Sequence, residues 1–293
     1  MGRAPAHVWA LVACGLLAVG SSPILIRLAG DAPALTLAAW RTMAVSAVFV
    51  PLALGRSRAE VAAFSAREWA LVLGAGVLLG LHFMAWIVSV QLTSVASASV
   101  LVTTSPLFIA VLGAVFLSER PSRRTSAAIA VAVVGAVLIG LSEGDGAGVY
   151  PNPALGNALA LTAAVLVSVY LLIGRAVRQR TTFVAYFALL NGAAAVTCLV
   201  GCLVAGVPLG LPWPVAGLAV AMGIGPGLIG HGSFAYALKY LPAALIGLLS
   251  LAEPIFASTV ALVAFGEVPT ALGVVGMAVV LAAIAAVVTS REA

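Results

Sequence analysis

Shifted by 148 residues, the sequence overlies itself. Ser105-Pro106-Leu107-Phe108 falls on Glu253-Pro254-Ile255-Phe256, Glu119 and Pro121 fall on Glu267 and Pro269, and Arg27 falls on Arg175. One ungapped offset thus relates both ends of two halves, residues 8–143 and 154–291, within a single domain of residues 1–293. Each half holds five long apolar stretches. If each stretch crosses a membrane, an odd number of crossings makes the second copy enter from the opposite side. The duplication predicts two inverted five-helix repeats, an arrangement that can expose a site at the repeat interface to either side in turn.

Composition identifies the solvent. The chain is 63% apolar and 8% charged, with a mean hydropathy of +1.21, and 293 residues cannot hide that much apolar surface in one water-soluble core. A hydrocarbon layer of about 30 Å needs roughly 20 helical residues. Apolar windows of suitable length run over 8–28, 34–54, 69–90, 92–117 and 125–142, and then over 155–174, 181–205, 214–236, 242–265 and 270–289. Unpaired backbone groups are too costly in lipid for open structures, and the short alternating segments of a β-barrel are absent. The expectation is an all-α integral membrane protein of ten helices.

Arg and Lys collect in loops that stay in the cytoplasm. With the N-terminus inside, Arg3, Arg56, Arg58, Arg67, Arg120, Arg123, Arg124, Arg175, Arg178, Arg180, Lys239 and Arg291 share that side, leaving Arg27 and Arg41 of the 14 basic residues. The opposite loops carry Asp31, Glu143, Asp145 and Glu267. The bias predicts a multi-pass protein of a bacterial inner membrane with both termini cytoplasmic. The net charge of +5 then belongs to loops beside anionic lipid, so lipid is the expected partner and nucleic acid is not. No soluble protein partner is implied, because the longest connections, about 55–68 and 143–154, are turns.

Several local patterns have structural readings. Arg3 and Ala18-Val19-Gly20 imitate a secretion signal, but cleavage there would delete a helix the repeat needs. Cys14, Cys198 and Cys202 are odd in number and lie in apolar segments, so they are read as packing residues. Gly225-Pro226-Gly227-Leu228-Ile229-Gly230 fits a dinucleotide pattern, yet it lies inside an apolar helix rather than between a strand and a helix start. No cofactor and no metal are expected. Gly74, Gly76 and Gly80 match the run Gly223, Gly225, Gly227, Gly230 and Gly232. Small residues let helices approach closely, and Pro226, Pro106 and Pro254 each remove a backbone donor and favour a kink. Gly76, Gly80, Gly225, Gly227 and the three prolines are therefore the expected packing or hinge positions.

The chemistry must come from the few polar groups inside the membrane. Arg41 lies about a third of the way into its span, where it either snorkels to the surface or faces a polar cavity. Arg27 has Asp31 four residues on and reads as a solvated helix end. Glu253 lies near mid-span, directly before Pro254, and can serve as a proton carrier, an ion-pair anchor or a structural hydrogen-bonding group; its repeat mate is Ser105. His82 and His231 occupy corresponding spans one position out of register. Around them stand Phe83 and Trp86, and Phe234 and Tyr236, with Trp40 beside Arg41 and with Tyr170, Phe108 and Phe256 on other spans. Those aromatics nearest the polar groups can stack on an aromatic or planar ligand, and the others suit lipid or the interface.

The segment from Gln91 to Gly140, with Ser105-Pro106-Leu107-Phe108 and Glu119-Arg120-Pro121, resembles the EamA family of the drug/metabolite transporter superfamily. So do Tyr236-Ala237-Leu238-Lys239-Tyr240-Leu241-Pro242, Ala252-Glu253-Pro254, Gly266-Glu267 and the Trp40-Arg41 pair. The resemblance covers both repeats. It implies a ten-helix basket around a central cavity bounded by helices 1, 3, 4, 6, 8 and 9, and a secondary transporter rather than an enzyme. The implied substrate is a small metabolite, with amino acids of aromatic or large apolar character foremost; another solute or a drug is the alternative. On this reading His82, Trp86, Ser105, Tyr170, His231 and Phe234 bind substrate, and Glu253 and Arg41 serve coupling or an ion pair. Intramembrane hydrolysis would need paired catalytic groups, and the sequence has neither an intramembrane Asp pair nor a His-Glu-x-x-His motif.

Overall fold

A computed structural model of the protein describes residues 4–93, 95–118, 120–142, 150–253, 255, 256, 259 and 270–288. Pro254, Glu119, Glu143, Asp145, Glu267, Arg3 and Arg291 lie outside the described residues.

The described residues are helical and contain no strand. In order they form α1 (Ala6–Gly20), α2 (Ser22–Leu28), α3 (Ala34–Arg56), α4 (Arg58–Ala62), α5 (Ala66–Leu92), α6 (Val95–Val102), α7 (Ser105–Phe116) and α8 (Arg123–Ser142). Then come α9 (Pro153–Arg178), α10 (Phe183–Val204), α11 (Trp213–Met222), a π-helical segment (Gly223–His231), α12 (Gly232–Ala237), α13 (Ala243–Ser250) and α14 (Ala271–Val288). Among the described residues, six stretches are long and apolar enough to cross a membrane: Ala6–Leu28, Ala34–Arg56, Ala66–Leu92, Pro153–Arg178, Phe183–Val204 and Trp213–Ala237.

Local chemistry sets the helix starts. Ser65 accepts from the Glu68 N–H at 3.3 Å while Glu68 accepts from the Ser65 N–H at 2.9 Å, a capping box that opens α5. Asn152 accepts from the Leu155 N–H at 3.1 Å, and Pro153 pre-sets the first turn of α9. The Thr182 N–H donates to Glu60 at 2.7 Å, which ties α4 to the start of α10. At the other end of α9, Arg175 donates to the Leu238 carbonyl at 2.8 Å and Arg178 to that of Ala235 at 3.1 Å, satisfying carbonyls left open where α12 stops.

Four expected continuous spans are interrupted. Ser21 separates α1 from α2, Thr103 and Thr104 separate α6 from α7, the π segment divides α11 from α12, and a turn at Leu251–Ala252 follows α13. Prolines explain three of these breaks. Pro23, Pro106 and Pro226 offer no N–H to the carbonyls of Val19, Val102 and Met222, four residues back. Hydroxyls take up nearby carbonyls instead: Ser21 donates to Ala18 at 2.6 Å and Thr104 to Leu101 at 2.6 Å. In the third case the helix widens, which is the usual π-type answer to a missing bond.

Glycines govern how closely the helices pack. A Cβ built on Gly76 would stand 2.5 Å from the Leu190 carbonyl oxygen, and one on Gly80 would stand 2.9 Å from that of Ala194, so α5 and α10 meet backbone to backbone. Gly15 and Gly230 do the same for α1 and the π segment. Gly227 also packs closely, with Val45 3.2 Å from the position of its missing Cβ. Gly225 makes no such approach: nothing lies within 4 Å of the position its Cβ would take, so no close helix contact requires glycine there, and of its two expected roles only that of a hinge is left. Outward faces carry large exposed apolar side chains such as Phe116, Leu203, Val204 and Trp213, which suit lipid and its interface.

The most extensive helix contacts join α5 to α9, α8 to α14, and α10 to α3 and α5, with α1 against the π segment and α3 against both the π segment and α11. Helix starts are evenly displaced between the halves. Ala6 and Pro153, Ala34 and Phe183, Ala66 and Trp213, Val95 and Ala243, and Arg123 and Ala271 are separated by 147, 149, 147, 148 and 148 residues.

Candidate functional site

The interruptions converge on one chamber. It is lined by Val19 and Ser22 at the first break, by Val102, Thr103 and Ser105 at the second, by His231 and Phe234 beyond the π segment, and by Ser250 and Glu253 around the last. Arg41 from α3, His82, Phe83 and Trp86 from α5, Val167, Tyr170 and Leu171 from α9, and Ile246 from α13 complete the wall. Broken helices bring polar backbone and side chains to a membrane interior without exposing them to lipid.

Arg41 does not snorkel. It is 1% exposed, its guanidinium carbon lies 3.9 Å from the centroid of the Phe83 ring, and Nη1 approaches the Ser22 hydroxyl at 3.4 Å. Nε is buried without a hydrogen-bond partner. Glu253 faces the same chamber and acts on Arg41 electrostatically, with no ion pair of 4 Å or less between them.

His82 donates from Nδ1 to the Ala163 carbonyl at 2.9 Å, which fixes its tautomer and leaves Nε2 as an acceptor. His231 shares a 2.8 Å hydrogen bond between Nδ1 and the Tyr170 hydroxyl. The imidazole centroids are 6.0 Å apart, and Phe83 stands edge-on to His231 at 5.0 Å. Ser168 donates to the Ser105 carbonyl at 3.0 Å, pinning the start of α7 to α9.

All eight residues assigned from sequence to binding or coupling therefore stand around one space: His82, Trp86, Ser105, Tyr170, His231, Phe234, Glu253 and Arg41. Four other aromatics singled out in the sequence, Trp40, Tyr236, Phe108 and Phe256, do not reach it. Trp40 donates instead to the Leu209 carbonyl at 2.8 Å, and Tyr236 packs against Tyr240 and His7. Phe108 and Phe256 are likewise absent from the wall.

The 148-residue offset reappears within the lining. Val19 and Val167, Ser22 and Tyr170, Phe83 and His231, Trp86 and Phe234, Val102 and Ser250, and Ser105 and Glu253 are six such pairs. His231 is thus the mate of Phe83, and the two histidines meet because adjacent positions 82 and 83 both reach the chamber. Ser22, Thr103 and Ser250 carry no distinguishing signal of their own in an apolar chain. Ser22 and Ser250 could still have been found as the mates of Tyr170 and Val102.

The chamber holds about 60 Å³, room for a few waters and far below the roughly 300–1,000 Å³ typical of small-molecule pockets. A second cavity of about 370 Å³ lies further along the same helices. On α7 the lining passes from Ser105 to Ile109 and Gly113, on α9 from Leu171 to Leu172 and Arg175, and on α13 from Ile246 to Leu245 and Ala243. Arg120, Ser118, Ser122 and Thr125 complete its polar side.

An apolar helical bundle that encloses a charged, aromatic-walled chamber has the architecture of a small-molecule membrane carrier. The chain belongs to the EamA-like transporter family, whose model matches residues 5–141 and again residues 154–289. It is a multi-pass membrane transporter and not an enzyme. It is 28% identical over 246 residues to the aromatic amino acid exporter YddG of Ancylobacter novellus, a match covering 83% of this chain and 84% of that protein. It is 34% identical over 192 residues to a probable terminal-alkyne amino-acid exporter of Streptantibioticus cattleyicolor. That match takes in 64% of this chain and 62% of the relative's length. A solved crystal structure superposes with a TM-score of 0.79 at 21% identity over 99% of each chain, a likeness of fold.

Proposed function

We propose that this protein exports amino acids with aromatic or large apolar side chains across a bacterial inner membrane, as a secondary transporter that works by alternating access. The observation that carries the substrate class is the chamber wall. His82, Phe83, Trp86, Tyr170, His231 and Phe234 supply six rings around one positive and one negative side chain. Flat apolar walls favour an aromatic or branched side chain, and one basic and one acidic side chain in the same wall disfavour a solute of large net charge. The names of the two relatives point the same way.

Ten spans in two inverted repeats form the proposed scaffold, with both termini in the cytoplasm. Support comes from the double match to one family model, the evenly displaced helix starts and the six lining pairs at a constant offset. A two-fold arrangement of this kind lets two halves rock around a fixed site. The contracted chamber and its larger neighbour fit a closed form, in which apolar side chains of α7, α9 and α13 separate the site from one side. The neighbour's Arg120 and Arg175 support assigning that side to the cytoplasm under the positive-inside rule.

Counterflow in proteoliposomes with phenylalanine, tyrosine, leucine, lysine and aspartate, with and without a proton gradient, tests the proposal. Phenylalanine, tyrosine or leucine should exchange at least about 10-fold faster than lysine or aspartate, a difference of about 1.4 kcal/mol in recognition. Transport confined to charged solutes would overturn it.

A further inference from the structure

The two ionisable side chains of the chamber, Arg41 and Glu253, are an oddity in a membrane interior. Arg41 carries five N–H donors and uses one, in a long 3.4 Å contact to Ser22, while its Nε is buried and unpaired. Leaving a buried charged donor idle is costly, and the opposite charge stands in the same chamber. If Glu253 served only to neutralise Arg41, the two would close into a salt bridge, because a paired charge is far cheaper in a low dielectric than two separate ones. They do not: no ion pair of 4 Å or less joins them, and Glu253 makes no hydrogen bond to a described residue.

The repeat sharpens the point. At the 148-residue offset Arg41 corresponds to Leu189 and Glu253 to Ser105, so the fold is built at equivalent places without either charge. Each charge is supplied once, from opposite halves, to one shared space. The Arg41 guanidinium is held in place from behind by the Phe83 ring at 3.9 Å, which leaves its donor edge for a ligand.

We infer that Arg41 and Glu253 are the two poles of a zwitterion site, with Arg41 receiving the substrate's carboxylate and Glu253 its ammonium group. This rests on the amino-acid reading above and makes it specific. The guanidinium fork matches a carboxylate bidentately. The carboxylate of Glu253 accepts from an ammonium group in turn. With the charged end fixed between them, the side chain projects toward Trp86, Tyr170 and Phe234. A ligand lacking either pole leaves one protein charge buried without a partner, and such a penalty rejects analogues more strongly than a lost apolar contact does. The chamber must widen from its present 60 Å³ to admit this ligand, so the poles are further apart when it is bound than in the closed form.

The test uses the whole protein in proteoliposomes loaded with phenylalanine, and three competitors: phenylalanine, phenethylamine without the carboxylate, and 3-phenylpropionate without the ammonium. In the parent protein both analogues should compete at least about 10-fold more weakly than phenylalanine. Glu253→Gln should lose most phenylalanine affinity and narrow the gap for 3-phenylpropionate alone, while Arg41→Gln should narrow it for phenethylamine alone. Ligand-induced thermal stabilisation of the parent by the same three compounds gives a readout that no folding defect of a variant can obscure. If phenylalanine is transported and either analogue competes equally well in the parent, the zwitterion site is wrong while the amino-acid reading stands. If the variants shift both analogues alike, the assignment of poles is wrong. If the parent moves no amino acid, the underlying reading fails first.

Discussion

Gly247 and Ile109 touch where two helices from different halves meet. A Cβ on Gly247 would lie 2.8 Å from Ile109 Cδ1 and 3.3 Å from Pro106 Cα. The contact stands between the central chamber, whose wall includes Ser105 and Ile246, and the larger cavity, whose wall includes Ile109 and Leu245. If this contact closes the site on one side, Gly247→Val should hold α7 and α13 apart at a cost of about 1–3 kcal/mol to the closed form. Counterflow should then fall by at least about 5-fold while the protein still elutes as a folded species from size exclusion. Parental flux would show that the helices need not close there.

Tyr170→Phe removes the hydroxyl that shares a 2.8 Å hydrogen bond with His231 Nδ1. Both residues are buried, so the imidazole loses its partner at a cost of about 1–3 kcal/mol. A lower thermal unfolding temperature in detergent is expected, together with slower phenylalanine counterflow. An unchanged melting curve would mean that water replaces the hydroxyl.

Trp86 and Phe234 are repeat mates on opposite halves, both lining the chamber and both nearly fully buried. Trp86→Ala and Phe234→Ala should each reduce the preference for phenylalanine over a smaller amino acid such as alanine, measured as a competition ratio. Loss of the aromatic surface should also lower stability by roughly 3–5 kcal/mol if the cavity stays open. Variants that keep the parental ratio would assign both rings to packing alone.

Gly76→Ala and Gly225→Ala form a matched pair. The first pushes a methyl group to 2.5 Å from the Leu190 carbonyl oxygen and should destabilise the protein by at least about 1 kcal/mol; the second meets open space and should be neutral or better. Thermal unfolding of both variants in one detergent checks the contrast. Equal losses would mean that Gly225 is needed for the π segment rather than for contact.

Single cysteines read the proposed topology. Positions 30 and 145 should react with impermeant reagent from outside, and positions 57, 122 and 240 only after the cytoplasmic face is opened. Outside labelling at 122 would break the inverted arrangement.

The sequence by itself determined the solvent, the helical class and the family. An apolar content of 63% and windows longer than a bilayer leave helices as the workable backbone solution, and the motifs around Ser105, Pro106 and Glu253 recur at a fixed offset. It also drew attention to Arg41, Glu253, His82 and His231, because a polar group in such a chain stands out against its background. It could not say whether Arg41 reached the surface or the interior, or that Gly225 packs against nothing. Nor could it say which of many aromatics share a space: Trp40 and Trp86 each stand near a polar group in the sequence, yet one bonds a loop carbonyl and the other lines the chamber. Those outcomes depend on helix rotation and on breaks at Pro23, Pro106 and Pro226. Residues more than a hundred positions apart acquire a common cavity only when helices pack through Gly15, Gly76, Gly80 and Gly230, so the charge separation between Arg41 and Glu253 was decided by tertiary structure alone.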